Sequence, residues 1–298
     1  MSFTSEVKKV LLKIEKKPSC CQKAECYGML LFTRLFSLQQ GEYHTENGLL
    51  ARRFAENISA AAGVIAEVNT TIRRTTSAFS VTIPGELERE RLLHVFGDPK
   101  TFISPQISLE ILEKPCCKAA FLRGAFLTCG AVSDPYKEYH LEFLTLHETL
   151  SKNLFALLSG LEEEMQPALA TRKGNYVVYM KESERIADLL TYIGARGSAM
   201  ELMQAKMFKE VRNYVNRKTN FETANIEKTV SASIRQTDAI RKVIETGGIE
   251  AFPEDLRELA QLRLEHPEMS LREMAQRLGL SRSGVNHRIR RILEIAGD

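Results

Sequence analysis

The sequence has no apolar run approaching the ~18 residues that a membrane-spanning helix needs, so no membrane partner is expected. It has little surplus charge either: 41 Lys and Arg stand against 38 Asp and Glu, a net of +3. A uniformly basic nucleic-acid-binding chain is excluded, and any such signal must lie in how the charge is distributed. Glycine (17) and proline (9) are too few for a collagen-like or low-complexity chain. With 44% hydrophobic and 27% charged residues, wholesale disorder is excluded as well. The first 17 residues alternate charge with single apolar residues and lack the apolar core of a signal peptide. The expected location is therefore cytoplasmic, in keeping with six cysteines held as free thiols. A length of 298 residues predicts about two domains.

What the sequence does contain is a repeat. At a shift of 96 residues, Cys20-Cys21 and Gly28 meet Cys116-Cys117 and Gly124. Lys17-Pro18 precedes the first cysteine pair as Lys114-Pro115 precedes the second. At the same shift Glu42-Tyr43-His44 meets Glu138-Tyr139-His140, and Asn57 meets Asn153. One residue later in register, Leu92-Leu93 and Gly97 meet Leu189-Leu190 and Gly194. Each copy reads as an apolar helix (22–36, 118–130), a short strand near Tyr43 or Tyr139, a second helix (49–62, 147–160), β-rich segments (64–73 and 79–83, then 176–180) and a closing amphipathic helix (86–96, 183–193). Ahead of them, Thr4 or Ser5 can cap a helix whose Val7, Val10, Leu11 and Ile14 form a packing stripe.

A glycine inside an apolar helix costs ~1 kcal/mol against alanine. Gly28 and Gly124 therefore predict two helices in close contact along a two-fold seam. Residues 20–195 resemble a degenerate LAGLIDADG homing-endonuclease core, a duplicated α/β unit whose signature helices pack at the pseudo-symmetry axis. In those nucleases the penultimate motif position is an acid that holds the catalytic metal. Thr33 and Cys129 stand there in this chain, and neither supplies a carboxylate for Mg²⁺. The resemblance implies the fold without the chemistry, so no catalytic residue is expected.

The positive excess lies after the repeat. Between Lys206 and Lys242, nine Lys and Arg face four acids. Two helices are expected there, one carrying Met207, Phe208, Val211 and Val215 and one carrying Ile226 to Ile244, with Asn213, Asn216, Asn220 and Asn225 between them and a break at Gly247-Gly248. Lys206, Lys209, Arg212, Arg217 and Lys218 are candidates for the DNA backbone. Beyond Pro253, which suits a first helical position, Leu256, Leu259, Leu262 and Leu264 mark a helix. Ser270 and Glu273 form a capping box, Gly279 ends a short helix, and Ser281 can cap another whose Val285, Ile289 and Ile292 are buried. This is a helix-turn-helix pattern. Arg282, Ser283, Asn286, His287 and Arg290 lie opposite the buried residues, with the geometry to read base edges. Arg288 and Arg291 flank them as phosphate contacts.

The expected fold is α+β: a duplicated LAGLIDADG-like core with pseudo-two-fold symmetry, then an all-α helix-turn-helix domain. The expected segments are an N-terminal helix (1–19), the core (20–198), a basic bridge (199–250) and the DNA-binding domain (251–298). The degenerate core, the stretch Asn216-Arg217, Asn220, Ala224-Asn225 and the string Ser283-Gly284-Val285-Asn286-His287-Arg288 together resemble the WhiA family over essentially the full chain. That resemblance implies a regulator of transcription in sporulation, or in cell division and chromosome segregation, associated with the nucleoid and binding double-stranded DNA and other transcription or cell-division proteins. It implies no cofactor. Two other classes stay open, a division or nucleoid scaffold and an active metal-dependent endonuclease. Cys20, Cys21, Cys116 and Cys117 could in principle make a four-thiolate zinc site across the two-fold, but adjacent cysteines on a helix are expected to point apart, so no metal is expected. His44 and His140 read as strand residues.

Overall fold

The computed structural model describes residues 2–15, 18–33, 41–73, 76–97, 105–161 and 165–297; Lys17 and the end of the first predicted seam helix fall outside them. The chain divides into two compact units, residues 1–209 and 210–298. In the first unit α1 (Phe3–Leu12) precedes a first repeat of α2 (Ser19–Phe32), β1 (Glu42–Thr45), α3 (Gly48–Ala62), β2 (Glu67–Arg73), β3 (Thr76–Thr82) and α4 (Glu86–His94). A 3₁₀ turn at Leu109–Leu112 leads into the second: α5 (Pro115–Cys129), β4 (Gly130–Val132), β5 (Leu141–Thr145), α6 (Glu148–Ser159), β6 (Ala168–Arg172), β7 (Asn175–Met180) and α7 (Ser183–Ile193). The sheets are antiparallel, ordered β1-β3-β2 and β4-β5-β7-β6. Among the described residues the order β1-β3-β2 recurs as β5-β7-β6, with β4 paired outside β5.

The seam helices α2 and α5 are apolar on nearly every side, as befits helices inside a core. A Cβ on Gly28 would stand 2.2 Å from the carbonyl oxygen of Phe121, and one on Gly124 would stand 2.2 Å from that of Glu25. Both obstacles are backbone, so no side chain can move aside. The expected close approach is there, and it is reciprocal.

The register of the duplication is not constant. At the seam the shift is 96, as Gly28 and Gly124 require. Before α3 the hydroxyl of Thr45 accepts a hydrogen bond from Asn47 N at 3.2 Å, and Thr145 does the same for His147, a shift of 100. Buried Leu50, Phe54 and Ile58 then correspond to Leu150, Leu154 and Leu158. Later, Val81 and Leu92-Leu93 correspond to Val178 and Leu189-Leu190, a shift of 97. The expected match of Tyr43 with Tyr139 is therefore four residues out: Tyr43 corresponds to Phe143, and Asn57 to Leu157 rather than Asn153. The physical cause is a longer connection after α5, which holds β4 and the turn closed by Lys137 N donating to Asp134 O at 2.9 Å.

Helix α1 is capped by Ser2, whose side chain accepts from Ser5 N, rather than by Thr4 or Ser5. Thr4 instead pins the helix to β4, its Oγ1 donating to Val132 O at 2.7 Å and accepting from Val132 N at 2.9 Å. Phe3, Val7 and Leu11 are buried while Val10 is exposed.

The seam also buries charge. Glu25 and Arg123 are each 2% exposed and meet at 2.7 Å. Arg53 Nε reaches the other carboxylate oxygen at 2.8 Å, Asn57 Nδ2 donates to it at 3.0 Å, and Arg123 Nη1 donates to Ile193 O. Burial pushes the Glu25 carboxyl up, but the hydrogen bonds and charges of Arg53 and Arg123 outweigh it and hold it below the usual carboxylate value. Under the 96-residue relation Glu25 maps onto Phe121, and Arg123 onto Tyr27. The mate of the ion pair across the axis is an aromatic contact, with the rings of Tyr27 and Phe121 5.6 Å apart.

From Arg196 to Gly247 the chain is one 52-residue helix, α8, where two were expected. Its asparagines are exposed, and there asparagine lowers helix stability only by tenths of a kcal/mol. The first turns of α8 bury Ala199 and Leu202 in the first core, and the last bury Ala239, Ile240 and Val243 in the second. Met207, Phe208, Val211 and Val215 between them stay exposed. The second unit is completed by a 3₁₀ turn (Ile249–Ala251), α9 (Glu254–Glu265), α10 (Leu271–Arg277) and α11 (Arg282–Ile295). Pro253 is the N-cap of α9, one place before its expected position.

Candidate nucleic-acid interface

The helix-turn-helix is built as its sequence requires. The capping box at α10 forms in full: Ser270 Oγ accepts from Glu273 N, and the Glu273 carboxylate accepts from Ser270 N at 2.8 Å. Those bonds from the Ser270 backbone and side chain hold the Glu273 carboxyl below its usual range. Gly279 takes φ 65°, and Leu280 N closes back onto Ala275 O at 2.8 Å. This left-handed turn is one that a side chain would strain. Ser281 caps α11, accepting from Gly284 N at 3.0 Å. Ala275 is buried where α10 meets α11, and Val285, Ile289 and Ile292 fill the core with Met274 and Phe252.

With those three residues inward, α11 presents Arg282, Ser283, Asn286, His287 and Arg290 to solvent, as expected. Arg288 is half-buried at the margin. Arg291, expected to meet a phosphate, donates to Asp255 Oδ2 of α9 at 2.6 Å. The sequence reading missed Arg272 and Gln276, which α10 exposes beside this face; the same periodicity that buries Met274 and Ala275 could have marked them. It also missed Arg263, 3% exposed, whose Nη1 donates to Pro267 O at 3.1 Å and Met269 O at 2.7 Å and so ties the α9–α10 connection down. Burial lowers the pKa of that guanidinium.

The bridge cations divide into two groups. Lys206 is ion-paired with Glu184. Lys209 lies 4.4 Å from the centre of the Tyr139 ring and donates to Lys137 O. Arg212, Arg217 and Lys218 are exposed.

In the first unit Thr33 and Cys129 close the seam helices at the rim of a cleft of about 1280 Å³, lined also by Lys8, Lys9, Glu46 and Glu142. Thr33 Oγ1 donates to Leu30 O at 2.8 Å, and Cys129 Sγ to Ala125 O at 3.2 Å, so both cap their own helices. Lys8 is lowered from the usual lysine value by burial, against the opposing effect of Cys129. Glu142 accepts from His140 at 3.0 Å and has Arg172 nearby. Among the described residues, the one gathering of three or more metal-capable side chains is Cys20, Cys21, Cys116 and Cys117, whose sulfurs all lie within 4.8 Å of one another. The expectation that these cysteines point apart does not hold. Burial, and then hydrogen bonds with neighbouring thiols, raise Cys21 to about 11 and Cys117 to about 12. Burial opposes ionisation of Cys20 as well, but Cys117, Cys21 and the charge of Lys114 hold that thiol below its ordinary value.

The fold and its exposed face define a duplicated LAGLIDADG-like core followed by a helix-turn-helix module of the kind that binds DNA. Residues 118–212 match the model of the WhiA LAGLIDADG-like domain, and residues 215–296 match that of the WhiA C-terminal HTH domain. The chain is 40% identical over 308 residues to the probable cell division protein WhiA of Ruminiclostridium cellulolyticum, covering 99% of this chain and 97% of that one. It is 38% identical over 313 residues to that of Alkaliphilus metalliredigens, covering 99% and 98%. The chain belongs to the WhiA family. Its fold is that of the full-length DUF199/WhiA crystal structure from Thermatoga maritima, at a TM-score of 0.60 and 23% identity over 100% of this chain and 98% of that one.

Proposed function

We propose that the chain is a sequence-specific DNA-binding regulator of transcription acting in cell division, or in sporulation and chromosome segregation, and that it does not cut DNA. One observation carries this reading: the helix that follows the Gly279 turn holds Val285, Ile289 and Ile292 inward and turns Arg282, Ser283, Asn286, His287 and Arg290 outward. An exposed arginine offers paired donors to guanine, and an exposed asparagine offers a donor and an acceptor to adenine. Half-buried Arg288, with Arg272 of α10, would meet phosphates, as the first helix of such a motif does where it crosses the backbone. The curated relatives are named as cell division proteins, which favours this field of action.

The test is binding of the full chain to a site selected from random duplexes. Asn286→Ala and Arg290→Ala are each expected to lose ~1–3 kcal/mol for that site while non-specific binding persists. Undiminished sequence preference in both variants would move the recognition surface elsewhere. A second reading, a nucleoid or division scaffold acting through protein contacts, draws on the exposed Phe208, Tyr214 and Phe221 of α8. A genome-wide map of bound sites separates the two, since a regulator's sites coincide with transcripts that change when the gene is deleted.

A further inference from the structure

We infer that Cys20, Cys21, Cys116 and Cys117 form a mononuclear four-thiolate metal site, suited to Zn²⁺, that joins the two repeats at the head of the seam. Each pair occupies the second and third residues of its helix, with α2 starting at Ser19 and α5 at Pro115. Consecutive residues on a helix diverge by about 100°, so a Cys-Cys pair alone cannot chelate one ion. Here each pair is met by its mate. The backbone contact at Gly28 and Gly124 brings the helices together so closely that Cys21 Sγ reaches Cys116 O at 3.6 Å. All four sulfurs fall within 4.8 Å of one another.

The size and charge of the site select the ion. With Zn–S near 2.3 Å, the sulfurs of a tetrahedral site stand about 3.8 Å apart. The present spread closes to that through side-chain rotation of half-buried Cys20 and exposed Cys116, the two with room to turn. A cluster of two or four irons would need its outer sulfurs farther apart than they stand. Four thiolates around a divalent cation carry two net negative charges. Both helices begin at this point and neither Pro18 nor Lys114 supplies a side-chain cap, so the positive ends of two helix dipoles lie beside the sulfurs. A cleft of about 530 Å³ lined by Cys20, Cys117, Lys23 and Lys114 gives an ion a way in. This site is independent of the DNA-binding reading. It would fasten the core whether or not the core touches a duplex.

The full chain decides the matter without a functional assay. Purified under reducing conditions, it is expected to carry about one zinc by elemental analysis. After chelation, one equivalent of Co²⁺ is expected to give intense sulfur-to-cobalt charge transfer and the strong visible bands of tetrahedral cobalt. Zinc is expected to raise the Tm and to shield four of the six cysteines from a thiol reagent. Cys20→Ser with Cys116→Ser should abolish the charge-transfer band, and Cys129→Ala should keep it. Should the serine variant fail to fold, the unmodified chain still decides. Six thiols equally reactive with and without zinc, or cobalt bands weak and free of charge transfer, would overturn the proposal. So would cross-repeat disulfides in a chain that takes up no metal after reduction.

Discussion

Glu25 is a carboxylate held in an apolar seam by two guanidiniums and an amide. Its charged form is the stabilised one, since Arg53 and Arg123 lower its pKa despite burial. A depressed carboxyl contributes stability above its unfolded pKa, and that contribution is lost as pH falls through the folded value. Acid unfolding of this chain should therefore include a step below the ordinary value of 4.5 that belongs to Glu25. Glu25→Gln is expected to cost about 3 kcal/mol at neutral pH, because it leaves buried Arg123 without a counter-charge. Denaturant titrations at pH 7 and pH 4 check this: the gap between variant and parent must narrow on acidification. An equal gap at both values would mean that the carboxylate's charge carries none of the effect. None of this was legible in the sequence. The partners of Glu25 are 28, 32 and 98 residues away, separations that no periodicity reports.

Among the helices, what the sequence disclosed and what it hid have separate physical causes. The capping box, Gly279 and the buried stripe of α11 were legible because each is local, set by residues within four of one another. The pairing of Arg291 with Asp255 was not, since 36 residues separate them. Strands β4 and β6 escaped because Gly-Ala-Val is three residues long and Ala168–Arg172 has little of the β-branched, apolar alternation that marks a strand. Helix α8 was read as two because asparagines suggested a join that its exposed face tolerates. Differences in occupancy among the bridge cations make a prediction. Arg212→Gln, Arg217→Gln and Lys218→Gln should each lower the salt slope of DNA binding by about one if each meets a phosphate. Lys206→Gln and Arg291→Gln should change it less, because Glu184 and Asp255 already hold those charges. Binding isotherms across a salt series measure this, and five equal slopes would count against it. The module also borrows from α8: Ala239, Ile240 and Val243 belong to its core. A fragment beginning at Ala251 should therefore melt well below one beginning at Glu210 when both are followed by circular dichroism.

At the scale of the molecule, the duplication was legible through its glycines and cysteines. Its register was not, because the shared Glu-Tyr-His letters fall beside a four-residue lengthening. Thr33 and Cys129 close the two seam helices with hydrogen bonds to their own backbones, so purified chain with Mg²⁺ or Mn²⁺ should leave plasmid DNA intact. Cleavage that vanishes in Thr33→Ala or Cys129→Ala would reverse that reading. The charged and aromatic pairs related by the axis reach further, to the choice of mate. Two first repeats brought together would set Glu25 against Tyr27, and each carboxylate would keep Arg53 but lose Arg123. Two second repeats would bury a pair of Arg123 guanidiniums against Phe121 with no carboxylate between them. An ion left uncompensated in such a place costs several kcal/mol. Each repeat is thereby committed to the unlike partner on its own chain, and self-pairing between molecules is discouraged from inside the seam.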